Sequence, residues 1–375
     1  MRYQRISFPA LDGIRALCFL VIFFFHGFYT ERPELRDDPL RKFVKVDLFG
    51  NGNLGVNVFF VLSGFLITFL LLEEKAIRGR IDVPRFWLRR ILRIWPLYYA
   101  CVLFGFGLFP LFKSAMGQVA HEGAQLPYYL FFASNFDLLL NGLPDASSLA
   151  VLWSIAVEEQ FYLFWPILLA LLPERSYPWL FAFVILMSLV FRWSEPDVDR
   201  NEVHTLSCIG DMAMGALGAL LVRSERGLLW IRTRTRPQVL LLYFAFGLVF
   251  LLRHELVDAN GPLRVIERSL VAALAMGIII HQTHGVKRRS DLGRWPVLNY
   301  LGRISYGLYC LHMIGILVAI QILARSGLDT RLWHVMLLQP VLALTLTVIL
   351  AALSHRFLER PFLKLKDRFA YIHRT

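Results

Sequence analysis

Long apolar stretches of membrane-spanning length recur along the whole chain, separated by shorter polar segments. A bilayer core about 30 Å thick needs about 20 helical residues, at a rise of about 1.5 Å per residue. The pattern therefore predicts an all-α membrane protein with about ten transmembrane helices. We place them near 14–28, 54–72, 95–112, 151–172, 178–193, 205–222, 238–253, 265–284, 299–323 and 332–355.

One apolar segment, LPYYLFFASNFDLLL over 127–141, does not fit this pattern because it is too short and too polar at its centre to span. We expect it to lie in the membrane interface or to re-enter the membrane. The longest loops, 29–53 and 113–150, are too short for a soluble domain. We therefore expect a single membrane-embedded domain over 1–375, with its core at about 10–361 and no soluble extracytoplasmic domain.

The distribution of charge orients the predicted bundle. Lys and Arg concentrate in the segments on the same side as the N-terminus, so the positive-inside rule places both termini in the cytoplasm. This predicts a multi-pass protein of the cytoplasmic (inner) membrane. The bias also explains the net charge of +12 without nucleic acid as a partner. The four cysteines fall in apolar spans without metal-ligand spacing, and we expect no metal site.

Arg15 and His26 are ionisable residues in the first predicted span, where such side chains are costly and usually functional. Their spacing of eleven positions places both on one helix face, about 16 Å apart along the axis. Arg15 can also be explained structurally, because its guanidinium can extend to the cytoplasmic headgroups. His26 lies toward the outer end, where a neutral imidazole can act as a general base on a hydroxyl.

A cluster of arginines opens the third predicted span, in the segment RFWLRRILRIWPLYY. Arg85, Arg89 and Arg93 recur every four residues and therefore share one helix face. Arg90 lies beside this face. Such a run can simply contact lipid headgroups, but guanidinium groups also match phosphate oxygens better than ammonium groups do. The cluster therefore predicts an anionic ligand on the cytoplasmic side.

Two carboxylates, Glu158 and Glu159, lie about two turns inside the fourth predicted span, in the segment WSIAVEEQFY. Paired glutamates inside a membrane are costly unless one is protonated or has a partner. One explanation is a structural ion pair with Arg192 or Arg268. The other is a catalytic carboxylate, or one that orients His26, because both lie in the outer half of the membrane.

Other polar residues also fall within apolar segments. Ser154 lies one turn before Glu158 on the same face, and His312 lies in the ninth predicted span. His312 on its own can be explained as a hydrogen-bonded core histidine. Asn135 lies in the interfacial segment. Asp211, in the sixth predicted span, is expected to pair with a buried cation.

Six motifs, in this order, resemble those of the integral-membrane acyltransferase-3 family, which acylates cell-surface sugars and some small molecules. They are DGIRA followed by His26, GVNVFFVLSGFLIT, RRILRIWPLYY, SLAVLWSIAVEEQFYLFWP, GRISYGLYCLH and HRFLERP. The resemblance covers residue 10 to about 361. It implies a ten-helix membrane domain that uses acyl-CoA, usually acetyl-CoA, from the cytoplasm. It also implies a polar acceptor hydroxyl, often on the extracytoplasmic side.

By this resemblance, His26 matches the family's essential first-helix histidine, and Arg15 matches the arginine that accompanies it. Arg90 and Arg93 match the family's R-x-x-R motif. We therefore expect the phosphates of CoA to bind arginines at the cytoplasmic face while the thioester approaches His26. These arginines are Arg15, Arg89, Arg90, Arg93 and Arg303.

Glu158 or Glu159 matches the glutamate of the family's W-S-x-x-x-E segment. In a direct mechanism, His26 deprotonates the acceptor hydroxyl, and Glu158 orients the imidazole as the carboxylate does in hydrolytic triads. In a covalent mechanism, His26 or Ser154 first accepts the acyl group. Both mechanisms are open at this point. The candidates for contacting the substrate or stabilising an oxyanion are Ser154, Asn135, Tyr306 and His312.

The main alternative function is a secondary transporter of a polar or anionic solute, which would also place His, Glu and Arg inside the membrane. Transporters commonly have inverted halves, whereas nearly all polar motifs here fall in the first half, without a matching set in 205–355. We therefore expect a membrane-bound O-acyltransferase. Its partners are the lipid bilayer and a carbohydrate or small-molecule acceptor, and its oligomeric state is not indicated by the sequence.

Overall fold

The computed structural model of the protein describes residues 8–115, 117, 119, 121–258, 261–286 and 291–369. Every regular element in these residues is helical, which confirms the predicted all-α fold. Ten helices of this described part have 16 residues or more. They are α1 (Pro9–His26), α2 (Leu54–Arg78), α3 (Val83–Leu103), α4 (Trp153–Leu171), α5 (Tyr177–Ser194), α6 (Thr205–Arg223), α7 (Arg236–Asp258), α8 (Pro262–His284), α9 (Ser305–Arg325) and α10 (Gln339–Ser354).

Shorter helices connect or extend these ten. Those in the loops are Pro33–Arg36, Pro39–Lys42, Phe43–Leu48, Leu126–Leu130, Ser134–Asn141, Ser147–Ala150, Glu174–Ser176, Val198–Val203, Glu225–Arg232, Leu292–Arg294 and Pro296–Arg303. Those that continue α3 are Phe104–Leu108 and Phe109–Ala115, and those that extend α10 are His334–Leu338, His355–Glu359 and Arg360–Asp367. These extensions make the third and last membrane helices longer than the apolar pattern alone predicts.

Within the described residues, nine helices are long and apolar enough to cross a membrane. The predicted span over 265–284 is also a helix, α8, with 23 residues. It is not among these nine helices. The polytopic membrane fold is thus confirmed. The cytoplasmic placement of the termini stays a prediction, since residues 1–7 and 370–375 lie outside the described part.

The third span begins earlier than predicted, at Val83 instead of near residue 95. The side chain of Asp82 caps the helix by accepting a hydrogen bond from the backbone N–H of Arg85, and a proline occupies the first turn. As a result, the whole arginine cluster lies within α3. Its side chains are therefore held on one continuous helix that leads into the bundle.

The ninth predicted span is interrupted near Ile304, so that a short helix, Pro296–Arg303, precedes α9. The short helix packs directly on α1. A Cβ atom at Gly302 would lie 1.9 Å from the carbonyl oxygen of Asp12, so only glycine permits this approach. The apolar pattern continues across the interruption, and for this reason the break is not visible in hydropathy.

The centre of the bundle is α2, whereas α7 lies at the periphery. The buried share of the most apolar 18-residue window is 83% in α2 and 6% in α7. Glycines bring α2 and α6 together: a Cβ at Gly64 would lie 1.9 Å from the carbonyl oxygen of Met212. Such close crossings through small residues are typical of membrane helices. The crossing fixes one wall of the site described below.

The interfacial segment 127–141 forms two short helices, Leu126–Leu130 and Ser134–Asn141, instead of a span. Asn135, which is fully buried, donates hydrogen bonds to the hydroxyl of Thr205 at 3.0 Å and to the carbonyl oxygen of Val203 at 3.3 Å. Its own carbonyl accepts from Gln160 at 2.9 Å. The segment is thereby attached to α4 and α6.

A buried ion-pair network joins α6, α7 and α8. Arg268 donates to Asp211 at 2.9 Å, which confirms that Asp211 pairs with a buried cation. Arg253 pairs with Glu267 at 2.9 Å and with Glu202. Burial alone would raise the pKa of Glu202, but Arg253 and Arg268 hold it below its ordinary value.

This network also tests the structural explanation for Glu158, which was an ion pair with Arg192 or Arg268. Arg268 is occupied by Asp211, and Arg192 donates to the hydroxyl of Ser269 at 2.8 Å. The expected ion pair of Glu158 with one of these arginines is therefore not what the structure contains. Asp211 neutralises Arg268, and Arg192 is held by the Ser269 hydroxyl and by the backbone carbonyl oxygen of Ser188.

Candidate active site

A cavity of about 190 Å³ lies among α1, α2, α3, α4 and α9, with the C-terminal helix Arg360–Asp367 at one end. Seven of the twelve predicted site residues line it: Arg15, Arg89, Arg90, Arg93, Ser154, Glu158 and Tyr306. Most of the remaining lining is apolar. Residues far apart in the sequence thus meet at one site that has a strongly cationic end.

Arg89 is neutralised within this site. Its guanidinium donates to Glu74 at 2.8 Å, and the two side chains are 13% and 3% exposed. It also donates to the backbone carbonyl of Phe369 at 3.1 Å. Glu74 in turn accepts from the backbone N–H of Asp82. Arg89 therefore ties α3 to α2 and to the C-terminal segment.

Arg90 is in a different environment. Its Nε atom is buried and has no hydrogen-bond partner among the described residues. Its guanidinium lies over the rings of Phe86 and Tyr162, at 5.7 and 5.9 Å from the centroids. Arg93, one turn further along α3, lines the same cavity. These two arginines, which form the R-x-x-R spacing, give the cavity positive charge that Glu74 does not balance.

Arg15 and Glu158 complete this charged region from α1 and α4. Arg15 donates to Asp12 at 2.9 Å, and its side chain is 10% exposed. Glu158 lies beside the hydroxyl groups of Ser63 and Tyr162, which are hydrogen-bonded to each other. The cations that act on Glu158 are Arg15 and Arg90. The carboxylate therefore belongs to the arginine cluster.

Glu159 and Arg303 lie outside the cavity lining. One oxygen of Glu159 accepts from the indole N–H of Trp95 at 3.0 Å, and the other has no partner among the described residues. Arg303 ends the short helix before α9 and is exposed. Asn135 is also outside the lining, in the network with Gln160 and Thr205.

Ser154 and Tyr306 line the cavity, and both hydroxyls are hydrogen-bonded. The Ser154 hydroxyl lies 2.7 Å from that of Tyr309 and donates to the carbonyl oxygen of Val151 at 3.3 Å. Tyr306 donates to the carbonyl oxygen of Ile94 at 2.7 Å. Tyr309 itself lines the cavity and also donates to Val151.

His26, the last residue of α1, lies next to His312 of α9, with 5.3 Å between the ring centroids. Lys45 is a cationic side chain that acts electrostatically on His26. The structure thus brings His26 together with His312 and does not bring it together with Glu158. His312 is fully buried and is connected through Tyr309 to the cavity wall.

Sequence reasoning missed several polar residues of this site. They are Ser63, Glu74, Tyr309 and Lys366. Glu74 falls at the end of α2 among other charged residues, where a solvated carboxylate is the ordinary expectation. Ser63 lies in the motif GVNVFFVLSGFLIT, which could have indicated it as a hydroxyl in the middle of a long apolar run. Lys366 has no such signal, because only tertiary structure brings the last helix to the cavity.

Comparison with known protein families adds a decisive observation to this geometry. The family described as “Acyltransferase domain” matches residues 8–356, which is nearly the whole chain. The chain belongs to this acyltransferase family. The resemblance identified from the six motifs is thereby confirmed, and the membrane helices described above form the acyltransferase domain.

This acyltransferase domain is similar over its whole length to larger bacterial proteins. Peptidoglycan O-acetyltransferase OatA of Listeria monocytogenes is 27% identical over 384 residues, which is 97% of this chain and 57% of OatA. A Staphylococcus aureus protein provisionally named an O-acetyltransferase is 26% identical over 388 residues, which is 97% of this chain and 58% of that protein. The chain spans less than three fifths of the length of these relatives. No solved structure matches it.

Within the described residues of the acyltransferase domain, no group of three or more His, Cys, Asp or Glu side chains could hold a metal ion. The cavity instead offers arginine side chains and several hydroxyl groups. Guanidinium groups favour phosphate or carboxylate ligands. Chemically, the site can hold an anionic group at its cationic end while the rest of a long ligand extends between the helices.

Proposed function

We propose that the chain transfers an acetyl group from acetyl-CoA, supplied from the cytoplasm, to a hydroxyl group of a cell-surface or lipid-linked carbohydrate. The observation that carries the proposal is Arg90, a buried guanidinium in the cavity whose Nε has no partner among the described residues. A buried cation of this kind is costly unless an anion completes it. The names of the relatives, which include a peptidoglycan O-acetyltransferase, support the acetyl group and the glycan acceptor.

The phosphates of the donor bind at the cationic end of the cavity. Arg90 and Arg93 supply the main contacts, and Arg15 adds charge beside Asp12. Arg89 contributes less, because Glu74 already neutralises it. Glu158 keeps Arg15 and Arg90 within one charged cluster. The concentration of Lys and Arg on this side of the bundle supports the cytoplasm as the source of the donor.

The pantetheine arm extends from these arginines toward the other end of α1. This helix runs without interruption from Pro9 to His26. At about 1.5 Å per residue, Arg15 and His26 lie about 16 Å apart along its axis. A long, thin donor anchored at the arginines therefore presents its thioester near His26, and a carbohydrate reaches the same point from the opposite side of the membrane.

In the reaction, His26 takes the proton of the acceptor hydroxyl as the oxygen attacks the thioester carbonyl. A carbon–oxygen bond forms, the carbon–sulfur bond breaks, and the CoA thiolate leaves and receives the proton from His26. The direct route is favoured over an acyl-serine. The hydroxyl of Ser154 is engaged with Tyr309 and with the carbonyl of Val151, and no general base is among these partners.

Purified protein in proteoliposomes tests the proposal. We expect transfer of radiolabelled acetyl from acetyl-CoA to a peptidoglycan fragment or another oligosaccharide acceptor. His26→Ala should lower the rate by about 100-fold or more, since general base catalysis contributes about 10²–10⁴-fold. A control is His334→Ala, a buried histidine at the start of the last span that, like His26, is not among the residues lining the cavity and that has no part in the proposed reaction.

Two results would contradict the proposal. One is full acetyl transfer by the His26→Ala variant at normal protein level. The other is the absence of donor consumption by the folded wild-type protein with every glycan acceptor offered. In cells, mass spectrometry of surface glycans should show the loss of an acetyl-sized increment when this chain is deleted.

A further inference from the structure

His312 carries a nitrogen whose role is not explained by the packing around it. The ring is fully buried, and its Nδ1 lies 2.6 Å from the backbone carbonyl oxygen of Tyr309. A carbonyl oxygen can only accept, so Nδ1 carries the proton and donates. In the neutral imidazole, Nε2 is then the unprotonated nitrogen and carries a lone pair.

Nε2 of His312 is buried and has no hydrogen-bond partner among the described residues. Leaving such an acceptor unsatisfied is unfavourable, and buried polar groups in proteins nearly always have a partner. Two of the rings around His312 are those of Phe19, at 6.2 Å, and Tyr309, at 5.8 Å. Among the described residues, the third ring neighbour is His26, at 5.3 Å. His26 is therefore the neighbouring ring with a nitrogen that can donate to Nε2.

The distance between the two rings fits this pairing. Two imidazoles joined by one N–H···N hydrogen bond of about 2.9 Å have ring centroids about 5 Å apart. The centroids of His26 and His312 are 5.3 Å apart, with 46° between the ring planes. Forming the bond requires the His26 ring to rotate about its side-chain bonds so that one of its nitrogens faces Nε2.

We propose that His312 is a positioning residue for His26: its Nε2 accepts an N–H from His26 and thereby leaves the other nitrogen of His26 free to accept the proton of the acceptor hydroxyl. This rests on the proposed function. It assigns to His312 the orienting role that the sequence suggested for Glu158, which lies instead among the arginines.

The pair of histidines, His26 and His312, also explains where the proton of the acceptor hydroxyl goes during the reaction. When the O–H bond of the acceptor breaks, the proton forms an N–H bond on His26, which becomes an imidazolium. The lone pair of His312 stabilises that cation, and the Tyr309 carbonyl polarises His312 through Nδ1. When the carbon–sulfur bond of the donor breaks, the thiolate takes the proton, and both imidazoles return to their neutral tautomers.

Two substitutions at His312 test this role, because only one of them keeps a hydrogen-bond acceptor near the position of Nε2. His312→Leu removes both, whereas His312→Gln keeps an amide oxygen near the position of Nε2. We expect His312→Leu to lower kcat about 100-fold or more with the KM for acetyl-CoA within about twofold, because a histidine in the wrong tautomer loses most of its activity as a base. His312→Gln should recover at least a tenth of the wild-type kcat. His334→Leu, a matched buried histidine, should leave kcat unchanged.

Nitrogen-15 NMR of histidine-labelled protein supplies a readout that a structural role would not change. In the wild type, we expect one tautomer of His26 with its N–H hydrogen-bonded, and in His312→Leu a mixture of both tautomers. An unchanged kcat in His312→Leu, or a single unaltered His26 tautomer, would overturn the inference. If His26→Ala also kept full activity, the proposed function itself would fail, and the two failures are thus distinguishable.

Discussion

Neighbouring arginines on α3 should respond in opposite ways to the same substitution. Arg90→Met removes a buried guanidinium whose Nε has no partner among the described residues and which lacks an ion pair as close as that of Arg89 with Glu74, so the free energy of unfolding should fall far less than in Arg89→Met. Losing its contact with a donor phosphate costs about 1.5–3 kcal/mol, which corresponds to a rise of about 10- to 150-fold in the KM for acetyl-CoA.

Arg89→Met should instead act on stability. Glu74, with a side chain 3% exposed, would lose the cation 2.8 Å away, and breaking a buried ion pair costs about 3–5 kcal/mol. Removing both partners in Arg89→Met/Glu74→Leu should restore most of this loss, because no uncompensated charge remains. The KM of the folded fraction should change little, since Arg89 is already neutralised.

The assay measures thiol release with a chromogenic reagent over a range of acetyl-CoA concentrations, together with unfolding titrations in mixed detergent micelles. We expect Arg90→Met to raise the KM for acetyl-CoA and Arg89→Met to lower the free energy of unfolding. Equal effects of the two single variants on both quantities would refute it. An unchanged KM in Arg90→Met would remove the phosphate-binding role from that residue.

Two further predictions concern ion pairs away from the cavity. Arg268→Met should lower the free energy of unfolding by about 3–5 kcal/mol, because Asp211 is 1% exposed and loses its partner at 2.9 Å; unfolding titrations check this, and a loss below about 1 kcal/mol would contradict the burial argument. Arg32→Ala, which removes an exposed bidentate pair with Asp329 at 2.8 and 3.0 Å, should shift the unfolding midpoint far less, and only at low salt. A shift as large as that of Arg268→Met would show that exposure does not decide the strength of these pairs.

Hydropathy and local motifs were sufficient for the helical fold and for the arginine cluster. Apolar segments of fixed length locate spans, because the bilayer core imposes that length. Arginines spaced along one helix share a face whatever surrounds them, and Arg89 and Arg93 of the predicted face line one cavity together with the neighbouring Arg90. Arg85, at the start of the helix, is not among the lining residues. The pairing of Asp211 with a cation could also be predicted, because an unpaired carboxylate is not stable inside a membrane.

Which partner each polar group selects could not be predicted, because this depends on helix packing. Glu158 and His26 were expected to lie together, since each lies near the outer end of its span. The crossing of the helices instead places Glu158 near Arg15 and Arg90, and places His312 next to His26. Asn135 was considered an oxyanion donor, but tertiary structure attaches it to Gln160 and Thr205.

A structure of the protein with CoA bound, determined by cryo-electron microscopy, tests the central claim most directly. We predict that CoA phosphates lie within hydrogen-bonding distance of Arg90 and Arg93, and that the sulfur lies toward His26 and His312. Phosphates bound at Arg303 or elsewhere outside the cavity would contradict the account. So would a sulfur atom that remains at the arginine end, out of reach of the two histidines.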